Sequence, residues 1–179
     1  MSIVLMLLTL IAALIVLLLI AAAMSREEYA IEREVTINKP VQTVFDYIKY
    51  LENQRYYNKW VMADPNAKRT HTGADSTAGY ITTWDSDNKN VGKGEQEIKR
   101  IDNSKRIDTE VRFEKPFKGT SYSYMITAPV AGNQTNVKWM FTGKRNYMMK
   151  LMHLLLNLKK MLGRDIQESL GNLKTNLEK

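Results

Sequence analysis

The stretch Val35–Ile48, "VTINKPVQTVFDYI", changes its hydrophobic period halfway along. Leading into it, "YAIEREVTI" alternates Tyr29, Ile31, Val35 and Ile37 with polar neighbours, the two-residue period of a strand. Beyond Asn38, the residues Val41, Val44, Phe45 and Ile48 recur at three- and four-residue steps, the period of a helix. Asn38 is placed to cap that helix, and Pro40 lies near its first turn, where a missing N–H costs nothing. The spacing therefore predicts a strand that feeds directly into a helix. A polar and aromatic connection, "RYYNKWVMADPNAKR", follows and is broken by Pro65.

Downstream the pattern is almost entirely extended. "AGYITTWDSD", "GEQEIKRI", "RIDTEVRFE", "TSYSYMITA" and "TNVKWMFTG" each read as a strand, separated by stretches rich in Gly, Asn, Asp and Pro. "RIDTEVRFE" alternates most clearly, with Ile107, Thr109, Val111 and Phe113 opposite Asp108, Glu110, Arg112 and Glu114. From about Tyr147 to the C-terminus the period returns to helical, and Leu151, Leu155, Leu158, Leu162, Ile166, Leu170, Leu173 and Leu177 form a stripe. The layout is α+β: an antiparallel sheet with one apolar face, covered by the long final helix. The apolar "YMMKLMHLLLNLKKMLG" at the start of that helix is interrupted by Lys150, His153, Lys159 and Lys160, so it is no membrane span.

Upstream, Ile3 to Met24 is a run of 22 residues without charge, with Thr9 its only polar side chain. At about 1.5 Å per residue it reaches roughly 33 Å, enough to cross a hydrocarbon core of about 30 Å. A cleavable signal sequence is the alternative, since Ala21–Ala23 offer small residues for cleavage, but no Lys or Arg precedes the run. The expected division is a single-pass transmembrane anchor over residues 1–24 and one domain over 25–179. Arg26, Arg33 and Lys39 follow the span, which favours a cytoplasmic domain.

Lys and Arg total 26 against 19 Asp and Glu, a net charge of +7. Beside an anchor, that balance suits an anionic lipid surface. No helix-turn-helix, zinc-finger or aromatic strand motif accompanies it and the basic residues are scattered, so no nucleic-acid partner is expected. The chain has no Cys, which excludes disulfides and thiolate chemistry.

The opening "VTINKPVQTVFDYI", the "YYNKWV" that follows, and "GKGEQEI", "RFEKPFKGT" and "KWMFTG" resemble the START-like, or SRPBCC, superfamily, most closely its polyketide cyclase/dehydrase-like branch. The resemblance covers most of Tyr29 to Lys179. It implies a helix-grip fold, a curved antiparallel sheet around a long C-terminal helix, enclosing a hydrophobic cavity for lipids, polyketides or other apolar molecules. Fold alone does not fix function.

The residues point the same way. Strand alternation puts Trp84, Ile98, Val111, Phe113, Tyr124, Trp139 and Phe141 on one inner face. Tyr80, Thr82, Gln96, Thr109 and Tyr122 share those registers and supply isolated polar contacts. Apolar walls with a few polar groups make a small-molecule site. Met149, Met152 and Leu156 are expected to close it from the helix, flexible thioethers suiting variable shapes. The expected partner is a hydrophobic small molecule or lipid, with no cofactor and no metal. His153, alone among leucines, is the one weak candidate for a general base, and His71 a weaker one; neither has zinc-ligand spacing. "DSDNKN" begins like a calcium loop, but Asn90 and Gln96 stand where Gly and Glu are required, and a hairpin turn explains it better. The reading is a carrier or sensor, with a cyclase or dehydratase of polyketide-like substrates as the alternative.

Overall fold

A computed structural model describes residues 2–179, the side chain of His153 excepted. Helix α1 (Ile3–Met24) precedes β1 (Glu28–Ile37), α2 (Val41–Ile48), a short 3-10 helix (Leu51–Tyr56) and α3 (Lys59–Met62). Then come β2 (Lys68–Thr72), β3 (Ile81–Asp85), β4 (Lys93–Asp102), β5 (Arg106–Lys115), β6 (Gly119–Val130) and β7 (Gln134–Lys144). Two helices end the chain, α4 (Tyr147–Leu156) and α5 (Leu158–Glu178).

All seven strands form one antiparallel sheet in the order β1-β7-β6-β5-β4-β3-β2. The strands after α3 form a meander, and β1 closes its far edge on β7. Register shifts in β4, at Lys93/Gly94 and Ile98/Arg100, are bulges of the kind that bend a strand and let a sheet curve. The outer face is held by ions: Arg112 bonds Glu95 at 2.5 Å, Glu97 at 2.8 Å and also Glu110. These four residues come from β4 and β5, and the alternation that turns them outward turns Gln96, Val111 and Phe113 inward.

The core lies toward the β1–β7–β6 side. Ile31, Ile37, Val137, Trp139 and Met125 of the sheet pack with Val44, Phe45 and Ile48 of α2 and with Ile166, Leu170 and Leu173 of α5. Seven strands about 4.8 Å apart make a sheet roughly 30 Å wide, whereas a helix is about 10–12 Å across. One helix cannot cover that width. The β2–β5 side is therefore left with an inner face that neither α2 nor α5 fills.

Two expectations need correction. Asn38 does not cap α2: Pro40 occupies the cap position without a side-chain bond, and the side-chain oxygen Oδ1 of Asn38 accepts from Gln134 Nε2 at 2.5 Å. The final helix is also two helices. Asn157 has φ 46° and ψ 48°, a left-handed conformation that Asn tolerates, and the axis breaks there. Only the α5 half of the leucine stripe is core; Leu155 on α4 is 60% exposed. Helix α4 lies instead against α1, where the Tyr147 hydroxyl donates to the Leu19 carbonyl at 3.1 Å. Lys150, buried on α4, pairs with Glu27 at 3.6 Å.

Among the described residues, α1 alone is long and apolar enough to cross a membrane, with mean hydropathy 3.4; a signal sequence has the same character. Its one polar side chain is satisfied internally, since the Thr9 hydroxyl lies at 3.1 Å from the Leu5 carbonyl and 2.8 Å from that of Met6.

Candidate functional site

The uncovered inner face is the floor of a cavity of about 330 Å³, within the roughly 300–1,000 Å³ of small-molecule sites. Arg69 and His71 line it from β2, Thr82 and Trp84 from β3, Gln96 from β4, and Val111 and Phe113 from β5. Ser123, Trp139 and Phe141 continue it across β6 and β7. Its roof is the segment from Leu51 to Val61, with Leu162 of α5.

That roof is tied down at both ends. The Asp75 carboxylate accepts from the backbone N–H groups of Leu51 and Glu52, each at 3.0 Å, which caps the 3-10 helix. Lys59 N donates to Ser169 Oγ at 3.0 Å, and Lys59 Nζ pairs with Asp165 and Glu168 of α5. Those carboxylates hold the Lys59 ammonium above its ordinary pKa, Glu168 first. The Trp60 ring meets Trp139 edge-on at 6.4 Å.

All three tryptophans of the chain, Trp60, Trp84 and Trp139, line this space. Two of them have their N–H groups satisfied by protein. Trp139 Nε1 donates to Ser123 Oγ at 2.8 Å and Trp84 Nε1 to the Val91 carbonyl at 3.2 Å. Trp84 lies across Gly94, where a Cβ would stand 2.7 Å from the ring. The missing side chain lets Trp84 meet Phe113 at 6.1 Å over the intervening strand. Gln96 Nε2 donates to Thr109 Oγ1 at 3.0 Å, and that hydroxyl donates to the Ser123 carbonyl at 3.3 Å. The polar groups of the floor thus largely serve one another and leave the walls apolar.

Two basic side chains on β2 break that pattern. His71 Nδ1 is 2.7 Å from the Tyr80 hydroxyl, which also lies 3.4 Å from a Glu52 oxygen. Tyr80 has one proton; when it donates to Glu52, His71 Nδ1 must be the donor to Tyr80. Burial first, then Asp75 and Glu52, push the Tyr80 hydroxyl well above its ordinary pKa. The Arg69 side chain makes no hydrogen bond or ion pair among the described residues, and its Nη2 is buried without a partner. Burial pushes the Arg69 guanidinium pKa down, while the charge of Asp64 opposes the shift.

The structure brings Trp84, Gln96, Val111, Phe113, Trp139 and Phe141 together on the cavity wall. Ile98, fully buried, belongs to a separate cluster with Leu51 and Tyr80. Thr109 sits beneath the surface of the floor, bonded to Gln96. Tyr124 is on the opposite face: Thr109 pairs with Ser123, so Ser121, Ser123 and Met125 face inward while Tyr122 and Tyr124 face out. Both faces of "TSYSYMITA" carry polar and apolar residues, so alternation cannot orient the strand; Tyr124 instead stacks under Arg106 at 4.6 Å. Met149, Met152 and Leu156 lie on α4, off the cavity wall, because the break at Asn157 turns that helix toward α1. The His153 side chain lies outside the described residues. No periodicity marks the roof, whereas "KRTHT" puts Arg69 and His71 on one face of a strand.

A family model described as polyketide cyclase/dehydrase and lipid transport matches residues 29–178. No curated protein matches the chain in sequence. Among solved structures, a hypothetical protein of Helicobacter pylori is similar at TM-score 0.63 and 10% identity, over 83% of this chain and 87% of that one. A Thermus thermophilus protein is similar at TM-score 0.59 and 16% identity, over 83% and 97%. The Aha1 dimer from Colwellia psychrerythraea gives 0.58 and 12%, over 84% and 96%. At these identities the likeness is one of fold.

Proposed function

The chain belongs to the polyketide cyclase/dehydrase and lipid transport family, and from that premise we propose that it holds one apolar small molecule or lipid chain in this cavity, as a membrane-bound carrier or sensor. The observation that carries the reading is the 330 Å³ space walled by three tryptophans and two phenylalanines, with two indole N–H groups already satisfied. Such walls gain by covering apolar surface, at about 25 cal/mol per Å².

Residues 1–24 anchor the domain of residues 25–179, which faces the cytoplasm. Helix α4 rests in the interface beside the anchor. It presents Met148, Leu154, Leu155 and Leu156 to the lipid, with exposed Lys144, Lys159, Lys160 and Arg164 nearby for headgroups. The domain then takes ligand from the membrane or presents it there.

The three tryptophans supply the test. The full chain in lipid nanodiscs is titrated with bromoundecanol, whose bromine quenches indole emission on contact. Saturable quenching, reversed by undecanol, is expected. Emission that stays constant up to the solubility limit ends the reading.

A second reading is favoured by the contacts of His71 and Glu52 with Tyr80. That arrangement can exchange protons at the cavity wall, as a cyclase or dehydratase of a polyketide-like chain requires. A linear polyketone consumed by the full chain, but not by His71→Phe, would establish it.

A further inference from the structure

An apolar ligand does not explain Arg69, whose Nη2 is buried on the cavity side of β2. Among the described residues, two guanidinium nitrogens are buried without a partner, Arg69 Nη2 and Arg145 Nε. Arg145 has other bonds, from Nη2 to the carbonyls of Arg26 and Glu28 at 2.6 and 3.2 Å. Arg69 has none.

The nearby acid is already engaged. Asp64 Oδ1 accepts from Asn66 N at 3.1 Å, and Oδ2 accepts from the Ser86 hydroxyl. Arg55, the other arginine on the wall, is exposed and lies over the Tyr56 ring at 4.7 Å. A guanidinium stays charged in proteins and presents a planar fork that matches a carboxylate. Leaving one half-buried beside an apolar cavity, with no acceptor, is costly unless the ligand brings the acceptor.

We propose that the cavity is selective for single-chain amphiphilic acids, with Arg69 receiving the carboxylate and the tryptophan-lined floor receiving the tail. This rests on the reading of the cavity as a ligand site and names the class of ligand. One buried guanidinium without a partner matches one negative charge. A phosphate head brings about −1.5 to −2, and Glu52 on the wall and Asp64 nearby disfavour the surplus. A volume of 330 Å³ equals that of roughly eleven waters at about 30 Å³ each. That is the volume of one chain of about ten carbons.

The test compares three brominated probes on the full chain in zwitterionic nanodiscs at mildly alkaline pH: bromoundecanoic acid, bromoundecanol and bromoundecyl phosphate. The acid is expected to quench tryptophan emission with a Kd at least tenfold below that of the alcohol. The phosphate is expected to bind no better than the acid. Arg69→Gln should bring the acid's Kd to that of the alcohol, both being measured in the variant, and Arg69→Lys should keep part of the margin.

An alcohol that binds as well as the acid overturns the acid selectivity and leaves the cavity reading intact. A margin that survives Arg69→Gln overturns the role of Arg69, and a clear preference for phosphate overturns the choice of carboxylate. Quenching by none of the three removes both readings together. The comparison of acid with alcohol on the unaltered chain needs no variant, so a poorly folding Arg69→Gln would not shelter the proposal.

Discussion

Replacing Ser123 with Ala tests whether the cavity floor is held by the bond from Trp139. Trp139 and Ser123 are 3% and 4% exposed, and Trp139 Nε1 donates to Ser123 Oγ at 2.8 Å. Ser123→Ala deletes the acceptor and leaves an indole N–H buried, a loss of about 1–3 kcal/mol. The neighbouring cavity moderates this, because a water there can meet the N–H if it finds two or more polar partners. The adjacent polar groups, Gln96 Nε2 and Thr109 Oγ1, already bond each other, so the expected cost is about 1.5 kcal/mol. Urea unfolding of the full chain in nanodiscs, followed by circular dichroism, reads it. At an m-value of about 1–3 kcal/mol per molar the midpoint falls by roughly 0.5–1.5 M. Trp139→Phe removes the donor, and in that background Ser123→Ala should cost less than about 0.5 kcal/mol, a coupling of about 1 kcal/mol. Equal costs in the two backgrounds would refute the assigned bond.

Val111→Phe projects a ring into free space rather than into packed neighbours; bromoundecanol should bind at least tenfold more weakly, with the urea midpoint unchanged or higher. A lower midpoint with unchanged binding would place Val111 off the cavity. Stability should fall at both ends of the pH scale. Lys99 and then Arg112 bond Glu97 and hold its pKa below the ordinary range, as Lys49 and then Gln42 do for Asp46. Their contributions are present above the unfolded carboxylate pKa and are lost as pH falls through the lowered values. Burial, chiefly, raises the Tyr57 and Tyr80 hydroxyls, whose contributions are full below about pH 10 and are lost above it. Urea midpoints across pH should therefore form a plateau, and rising stability above pH 10 would contradict the burial of these tyrosines. Leu155→Trp should add blue-shifted emission quenched by brominated phosphatidylcholine, whereas unquenched emission would lift α4 off the bilayer.

What was legible in the sequence was whatever a strict period writes down. The change from two to three-and-four at Asn38, and the alternation of Ile107, Thr109, Val111 and Phe113, locate β1, α2 and β5 and orient them. Pairing then carries the inner face from Phe113 across Gly94 to Trp84, which is why those residues are found where alternation puts them. "TSYSYMITA" fails because its aromatic side chains look outward and its serines inward, the reverse of a hydrophobicity rule. The small inward residues Ser121 and Ser123 follow a different demand, which is to meet the Tyr29 hydroxyl at 3.1 Å and to accept from Trp139 Nε1 at 2.8 Å. The break at Asn157 is written in a single residue between two leucines, too little to interrupt a leucine stripe on paper. The roof is least legible, because its place depends on bonds that span the chain, from Asp75 to Leu51 and from Ser169 to Lys59.

That distant bracing bears on why a space of this size persists. An uncovered apolar floor would normally draw its roof down, since each buried methylene returns about 0.8 kcal/mol. Here the roof is fixed by Asp75 at one end and by Ser169, Asp165 and Glu168 at the other, none of which lines the cavity. The floor is stiffened from outside by Arg112 and its three glutamates. Collapse would have to break those contacts and would also bury Arg69 more deeply without a partner. Under the proposal that Arg69 receives a carboxylate, a charge that resists burial until an acid arrives, set in a braced frame, favours the filled cavity over the collapsed one.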